Sequence, residues 1–394
     1  ILAVGDPGTG NRAYVYQYNG GNYDSSLNSN FTDSNYDSGY VVTFDAGYGA
    51  VWDNMSINSL SFATNTGIVP QQLIKLDTNN VNRNIMYKNV QFTDNDSNGN
   101  YEIRDSNLKG GDEFGYSVSL SSDGTILAVG DPEDGQRVTV FQYNDSNYEI
   151  RDSNLIGELN FGRSVSLSSD GTILAVGDPG TGNRVYVYQY NDTNYEIIDS
   201  NLTGVSNFGS SVSLSSDGSI LAVGDFGDDR VTVFQYNDTN YEIRDSSLTS
   251  GTGGSNFGFS VSLSSDGTIL AVSDPGGTGR VYVYQYNNTN YEIRDISLTG
   301  GNEFGTSVSL SSDGTILAVG DPGSDAISDR VYVYQYNGSN YEIIDSNLTA
   351  GNKFGDLVSL SSDGTILAVS DYGDDRKVYV YQYNGSNYEI RDSN

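Results

Sequence analysis

The sequence predicts an all-β protein, a β-propeller of four-stranded antiparallel blades, seven in number with eight as the alternative. Three observations carry that prediction. One segment recurs six times, opened by Phe114, Phe161, Phe208, Phe257, Phe304 and Phe354, at spacings of 47, 47, 49, 47 and 50 residues. Within each copy the subsegments are short, rich in Val, Ile, Leu and Tyr, and bounded by Gly, Asn and Asp, as strands are. No stretch shows a helical period, and a four-strand unit with a period in the forties is the pattern of propeller blades.

The elements follow in chain order. Residues 1–27 read as strands two to four of a partial unit that lacks its first strand. Because the chain opens on Ile1 in mid-repeat, it reads as a piece of a longer precursor. Residues 28–107 form a divergent blade. GYVVTFDAGYGAVW from Gly39 overlays GYSVSLSSDGTILAV from Gly115, and KNVQFTDNDSNGNYEIRDSN from Lys88 matches strands three and four. An insertion at about 55–84 separates the two halves of that blade. Residues 108–394 are six near-identical blades.

In the second of these, SVSLS alternates, with Val165 and Leu167 on one face. TILAV is continuously apolar, as a strand buried on both faces should be. VYVYQY sets Val185 and Val187 opposite Tyr186, Tyr188 and Tyr190. Asp170-Gly171 suits a tight hairpin because both positions tolerate positive φ. A lone meander of this kind leaves two apolar faces open, and stacking sheets around an axis buries both.

The motifs F-G-x-S-V, I-L-A-V-G-D-P and R-V-Y-V-Y resemble the FG-GAP repeat of integrin α-subunit propellers. The resemblance covers residues 108–394 and, in part, 1–27. The family's Gly-Ala-Pro is Gly177-Asp178-Pro179 here, and two copies replace the proline with Phe226 and Tyr372. The family's calcium loop is reduced to Ser-Ser-Asp-Gly, so its calcium sites are expected to be absent from the six blades. The resemblance implies an extracellular or cell-surface protein.

Composition narrows the function. The net charge is −32 with 19 basic residues, which disfavours nucleic acid and anionic membranes as partners. No apolar run reaches the roughly 18 residues that membrane insertion needs. Neither Cys nor His occurs, which removes thiolate nucleophiles, Ser-His-Asp triads and the usual zinc sites. Carboxylates abound, but nearly all lie at repeated positions, whereas catalysis needs a singular constellation. The expectation is therefore a protein without enzymatic activity.

Three sets of candidate site residues stand out. Asp94, Asp96, Asn98, Asn100 and Glu102 have the D-x-D-x-N-G-x-x-E spacing of a calcium loop, with Gly99 at the sharp turn. The alternative is an Asn-rich hairpin. Asp178 and its equivalents, each followed by an arginine such as Arg184, read either as a carboxylate ring at one mouth or as a cross-hairpin salt bridge; the second fits better. The third set is N-glycosylation sequons. Asn144, Asn191, Asn237, Asn287, Asn337 and Asn384 occupy the turns between strands three and four, with Asn95 in the divergent unit. Asn201 and Asn347 are expected in loops between strand four and the next blade, and Asn30 and Asn54 are further matches. The alternative is that a duplicated turn duplicates its sequon.

The function these readings support is an extracellular structural or adhesive propeller, a glycosylated subunit of a surface appendage, filament or matrix. Its partners would be covalent N-glycans and further copies of itself, or other extracellular proteins, paired through the open edge of the partial unit. The alternative is a ligand- or glycan-binding propeller of lectin or receptor type. A carboxylate-based hydrolase stands third.

Overall fold

The computed structural model describes residues 101–393, apart from 112, 134, 251–255, 277–278, 302, 324–328 and 372–376. It also describes the backbone strands Leu2–Asp6, Arg12–Tyr18, Tyr40–Phe44, Tyr48–Trp52 and Ser61–Ala63. The chain divides into two compact units, Tyr18–Glu102 and the pair of segments Ile1–Gln17 and Ile103–Asn394.

In the larger unit, six four-stranded antiparallel meanders form blades I to VI, at residues 117–156, 164–203, 208–249, 261–299, 308–348 and 354–393. Blade II pairs Ser164–Leu167, Ile173–Asp178, Arg184–Tyr190 and Tyr195–Thr203 in chain order. The second strand is buried throughout, as its unbroken apolar run requires, with Leu174, Ala175 and Val176 at 0% exposure. The fourth strand, Tyr195–Thr203, runs to nine residues. Asn201 and Asn347 therefore lie within fourth strands, not in loops. The Asp199 carboxylate explains the extension, since it accepts the Asn201 N–H at 2.8 Å and carries the chain across an irregularity in register.

Blades join through apolar faces. Ile126, Val138 and Val140 of blade I pack with Phe161, Val165 and Leu174 of blade II, and each later junction repeats the arrangement. All six repeat phenylalanines are almost fully buried, and each side chain contributes about 1.5–3 kcal/mol of transfer energy. The tyrosines serve the same junctions. Phe161 meets Tyr186 edge-on at 5.5 Å, and Tyr195 donates its hydroxyl to the Gly171 carbonyl. They are packing groups.

Polar ties complete each junction. Ser117 Oγ donates to the Gly162 carbonyl at 2.7 Å, and Ser119 Oγ accepts the Leu167 N–H at 3.0 Å. The alternating serines of SVSLS thus hold the next blade's backbone while Val and Leu face the previous blade. The buried Asp152 carboxylate accepts the Tyr195 N–H of the next blade at 2.9 Å. Beside it, Arg151 lies 3.4 Å over the Tyr190 ring.

Leu2–Asp6, Arg12–Tyr18 and Tyr101–Lys109 form a three-stranded sheet whose first member contacts the first strand of blade I. Residues 101–107, assigned from sequence to the divergent blade, supply the fourth strand of the partial unit instead. Residues 19–100 are inserted at its turn between strands three and four. Hairpin complementarity outweighs separation because loop-closure entropy grows only with the logarithm of length. Within the smaller unit, Tyr40–Phe44 pairs with Tyr48–Trp52, as the overlay on strands one and two expects. Ser61–Ala63 adds a third strand inside the stretch read as an insertion.

Candidate functional site

The first strands of blades I to VI contact one another in succession and so face the propeller axis. Their two ends differ chemically. At the C-terminal end, Ser-Ser-Asp-Gly turns surround an axial cavity of about 220 Å³ lined by Leu120, Ser122 and their five equivalents. The serines are chained: Ser122 N–H donates to the Ser169 carbonyl, Ser169 to Ser216, Ser216 to Ser265, Ser265 to Ser312 and Ser312 to Ser362, each at 2.8 Å. The next residue of each turn is an aspartate. Asp123 accepts the Thr125 N–H at 2.9 Å and the Ser121 hydroxyl at 2.7 Å, and these bonds hold its carboxyl below the usual range. Every blade repeats this turn. Carboxylates so stabilised are weak bases.

At the N-terminal end, the residue after Phe-Gly changes from blade to blade: Tyr116, Arg163, Ser210, Phe259, Thr306 and Asp356. The backbone that presents them does not change. The intervening glycines hold φ between 88° and 95°, and a Cβ at Gly162 would meet the blade I backbone at 2.9 Å. Only glycine allows that approach. The six side chains therefore start from equivalent points around the axis, a singular set on a repeated frame.

Their charges interact. The Arg163 guanidinium lies 5.1 Å from the Tyr116 ring centre, at the edge of cation–π range. Burial raises the Tyr116 hydroxyl, Arg163 opposes the rise, and the carboxylates of Glu113 and Asp356 reinforce it. Tyr116 opens blade I and Asp356 belongs to blade VI, so this electrostatic influence spans blades that are not consecutive in the chain. Burial likewise raises the Asp356 carboxyl, with Lys353 opposing and Glu303 reinforcing. Lys353 Nζ bonds Glu303 Oε2 at 2.8 Å. The buried Ser210 Oγ has no hydrogen-bond partner among the described residues.

The aspartates that end the second strands are 0–3% exposed and form neither an open ring nor a set of hairpin salt bridges in blades II and III. Asp178 accepts the Glu158 N–H at 3.3 Å, and Asp225 accepts those of Val205 and Ser206 at 3.1 and 3.3 Å. Arg230 turns to Asp228 instead, at 3.6 Å. A buried carboxylate needs fixed donors, and the loop amides that lead into its own blade supply them.

Of the sequons, Asn144, Asn191, Asn237, Asn287, Asn337 and Asn384 are exposed at hairpin tips. Their side chains have a turn role. Asn191 Oδ1 accepts the N–H groups of Thr193 and Asn194, both at 3.0 Å, and the five equivalents do the same. The following residue is Asp145, Asp192, Asp238, Asn288, Gly338 or Gly385, all at positive φ. The turn thus accounts for the asparagine and its successor. Asn30, Asn54 and Asn95 lie outside the described residues, as do Asp94, Asp96, Asn98 and Asn100 of the calcium spacing; Glu102 is described only as strand backbone. Among the described residues no group of three acidic side chains could hold a metal ion, and no helix is long and apolar enough to cross a membrane.

Residues 123–306, a little under half of the chain, match the family model described as Lactonase, 7-bladed beta-propeller. Among solved structures, a Bacteroides uniformis protein provisionally named 6-phosphogluconolactonase is 14% identical with a TM-score of 0.58, covering 75% of this chain and 88% of that one. A protein from Lactobacillus plantarum is 15% identical with a TM-score of 0.58, covering 74% and 87%. Kuenenia stuttgartiensis hydrazine synthase is 17% identical with a TM-score of 0.52, covering 68% and 76%. These structural likenesses bear on the fold. Comparison with curated proteins gives no match.

The family match overturns the FG-GAP resemblance, and with it the structural, adhesive and glycoprotein reading and the expectation of no enzymatic activity. Four of the six Phe-Gly copies lie inside the matched span. The resemblance failed for a physical reason. Phe-Gly and Gly-Asp-Pro are packing and turn positions of a four-stranded blade, and such positions do not distinguish one propeller family from another.

Proposed function

We propose that the chain is a hydrolase that opens lactone rings at the axial end carrying Tyr116, Arg163 and Asp356. The lactonase family match over residues 123–306 carries this reading. The chemistry of the variable axial positions supports it, because lactone opening needs a base for water and a cation for the oxyanion. Asp356, whose carboxyl burial raises above its ordinary value, takes a proton from the water that attacks the lactone carbonyl. Arg163 faces the negative charge that develops on the carbonyl oxygen. The ring C–O bond then breaks, and the Asp356 proton passes to the departing alkoxide, leaving a hydroxy acid. Tyr116 positions Arg163 through its ring face.

A panel of five- and six-membered lactones followed in a pH-stat tests this. At least one should open faster than its spontaneous rate, and Asp356→Asn should abolish the excess. Spontaneous rates across the whole panel with folded protein would overturn the reading.

A further inference from the structure

Two departures from the repeat meet at the same axial end. Four of the six copies place proline after Gly/Ser-Asp, at Pro132, Pro179, Pro275 and Pro322, whereas blade III has Phe226. Blade IV has Phe259 at the variable axial position. Their rings lie 5.6 Å apart at 52°, and Phe259 keeps 39% of its surface exposed. An aromatic pair left open beside a catalytic end offers its faces to a ligand.

The charges at this end point the same way. Glu113 and Asp356 act on the Tyr116 ring, and Glu303 acts on Asp356. Lys353 is engaged by Glu303 at 2.8 Å and by the Gly323 carbonyl at 3.1 Å. Among the described residues, Arg163 is the cation that acts on the Tyr116 hydroxyl. A phosphate dianion is recognised by several converging donors, usually with bidentate arginine. Here it would meet carboxylates, on a chain whose net charge is −32.

We infer that the substrate is an uncharged lactone whose apolar face lies on the Phe226–Phe259 pair, and not a phosphorylated sugar lactone. This inference rests on the lactone-hydrolase reading. Arg163 is then reserved for the reacting carbonyl, and the phenyl rings fix which side of the lactone faces it.

The test compares glucono-1,5-lactone, its 6-phosphate and δ-decalactone with the wild-type protein. Both uncharged lactones should exceed the phosphate in kcat/KM by about tenfold or more, and added salt should narrow the gap as repulsion is screened. Phe259→Ala should raise KM for δ-decalactone about tenfold with kcat nearly kept, because the lost contact acts on binding. Preference for the 6-phosphate, or unchanged KM in Phe259→Ala, overturns the inference and leaves the hydrolase reading standing. Failure to open any of the three, with folding intact by circular dichroism, overturns the inference, and spontaneous rates across the rest of the panel overturn the hydrolase reading with it.

Discussion

The two ends of the axial strands are built from the same repeat but specialised in opposite ways. At the Ser-Ser-Asp-Gly end every blade supplies the same residues, and backbone bonds from serine to serine occupy the groups that face the axis. At the Phe-Gly-x end the backbone is equally constant, yet the variable position holds a phenol, a guanidinium, two hydroxyls, a phenyl ring and a carboxyl. Duplication multiplies whatever packs the blades. Side chains differ in chemical type only where duplication was followed by divergence. In a repeat protein the column of the repeat that varies in chemical type is therefore the place to look for a reaction.

The sharpest way to break the comparison is to exchange the ends' roles by mutation. Arg163→Gln and Asp356→Asn should each lower lactone kcat/KM by about 10²–10³-fold, the scale of one oxyanion donor or one general base. Thermal midpoints should stay near wild type. Ser216→Ala at the opposite end should leave activity unchanged, because its ties run through the backbone; a comparable loss there would erase the distinction between the ends.

Next in size are the packing positions. Phe208→Ala should cost about 3–5 kcal/mol in chemical denaturation, since the ring is 1% exposed between blades II and III. A cost under 1 kcal/mol would show that the junction collapses around the gap. Smaller still is Asp199→Ala. It leaves the Tyr241 N–H, now held at 2.9 Å, without its acceptor, a loss of about 1–3 kcal/mol.

The smallest expected effect is a pH dependence of two opposed signs. Burial raises the carboxyls of Asp178, Asp225 and Asp321 above their ordinary values. The folded state then binds protons that the unfolded state does not, so stability rises as pH falls through the raised values toward about 4. Hydrogen bonds hold Asp123 and Asp363 low, and the stability they contribute is lost as pH falls below that range. Thermal midpoints should peak on the acid side of neutral. Asp178→Asn should flatten the rising limb, and a midpoint falling steadily from pH 7 downward would refute the assignment.

Much of this architecture is legible in the residues. Asp-Gly and Asn-rich turns, the apolar second strand and the alternation of the first mark every described blade strand. The ends of strands are less legible. Asn201 and Asn347 look like loop residues, yet pairing with the third strand resumes beyond them, where the Asp199 and Asp345 carboxylates accept their N–H groups. The alternation of SVSLS is legible, but not that its serines are donors and acceptors to the next blade, a role that requires a neighbour no single repeat contains.

By itself the sequence determined the repeat, the strand order within a blade, the turns and the absence of histidine and thiol chemistry, because these depend on local propensity and on composition. Tertiary structure decided which fourth strand completes the partial unit, which carboxylates are buried and which side chains meet. Tyr116, Arg163 and Asp356 lie 47 and 193 residues apart in sequence. Ring geometry brings the Arg163 guanidinium and the Asp356 carboxylate each within reach of Tyr116, and no pattern along the chain records that distance.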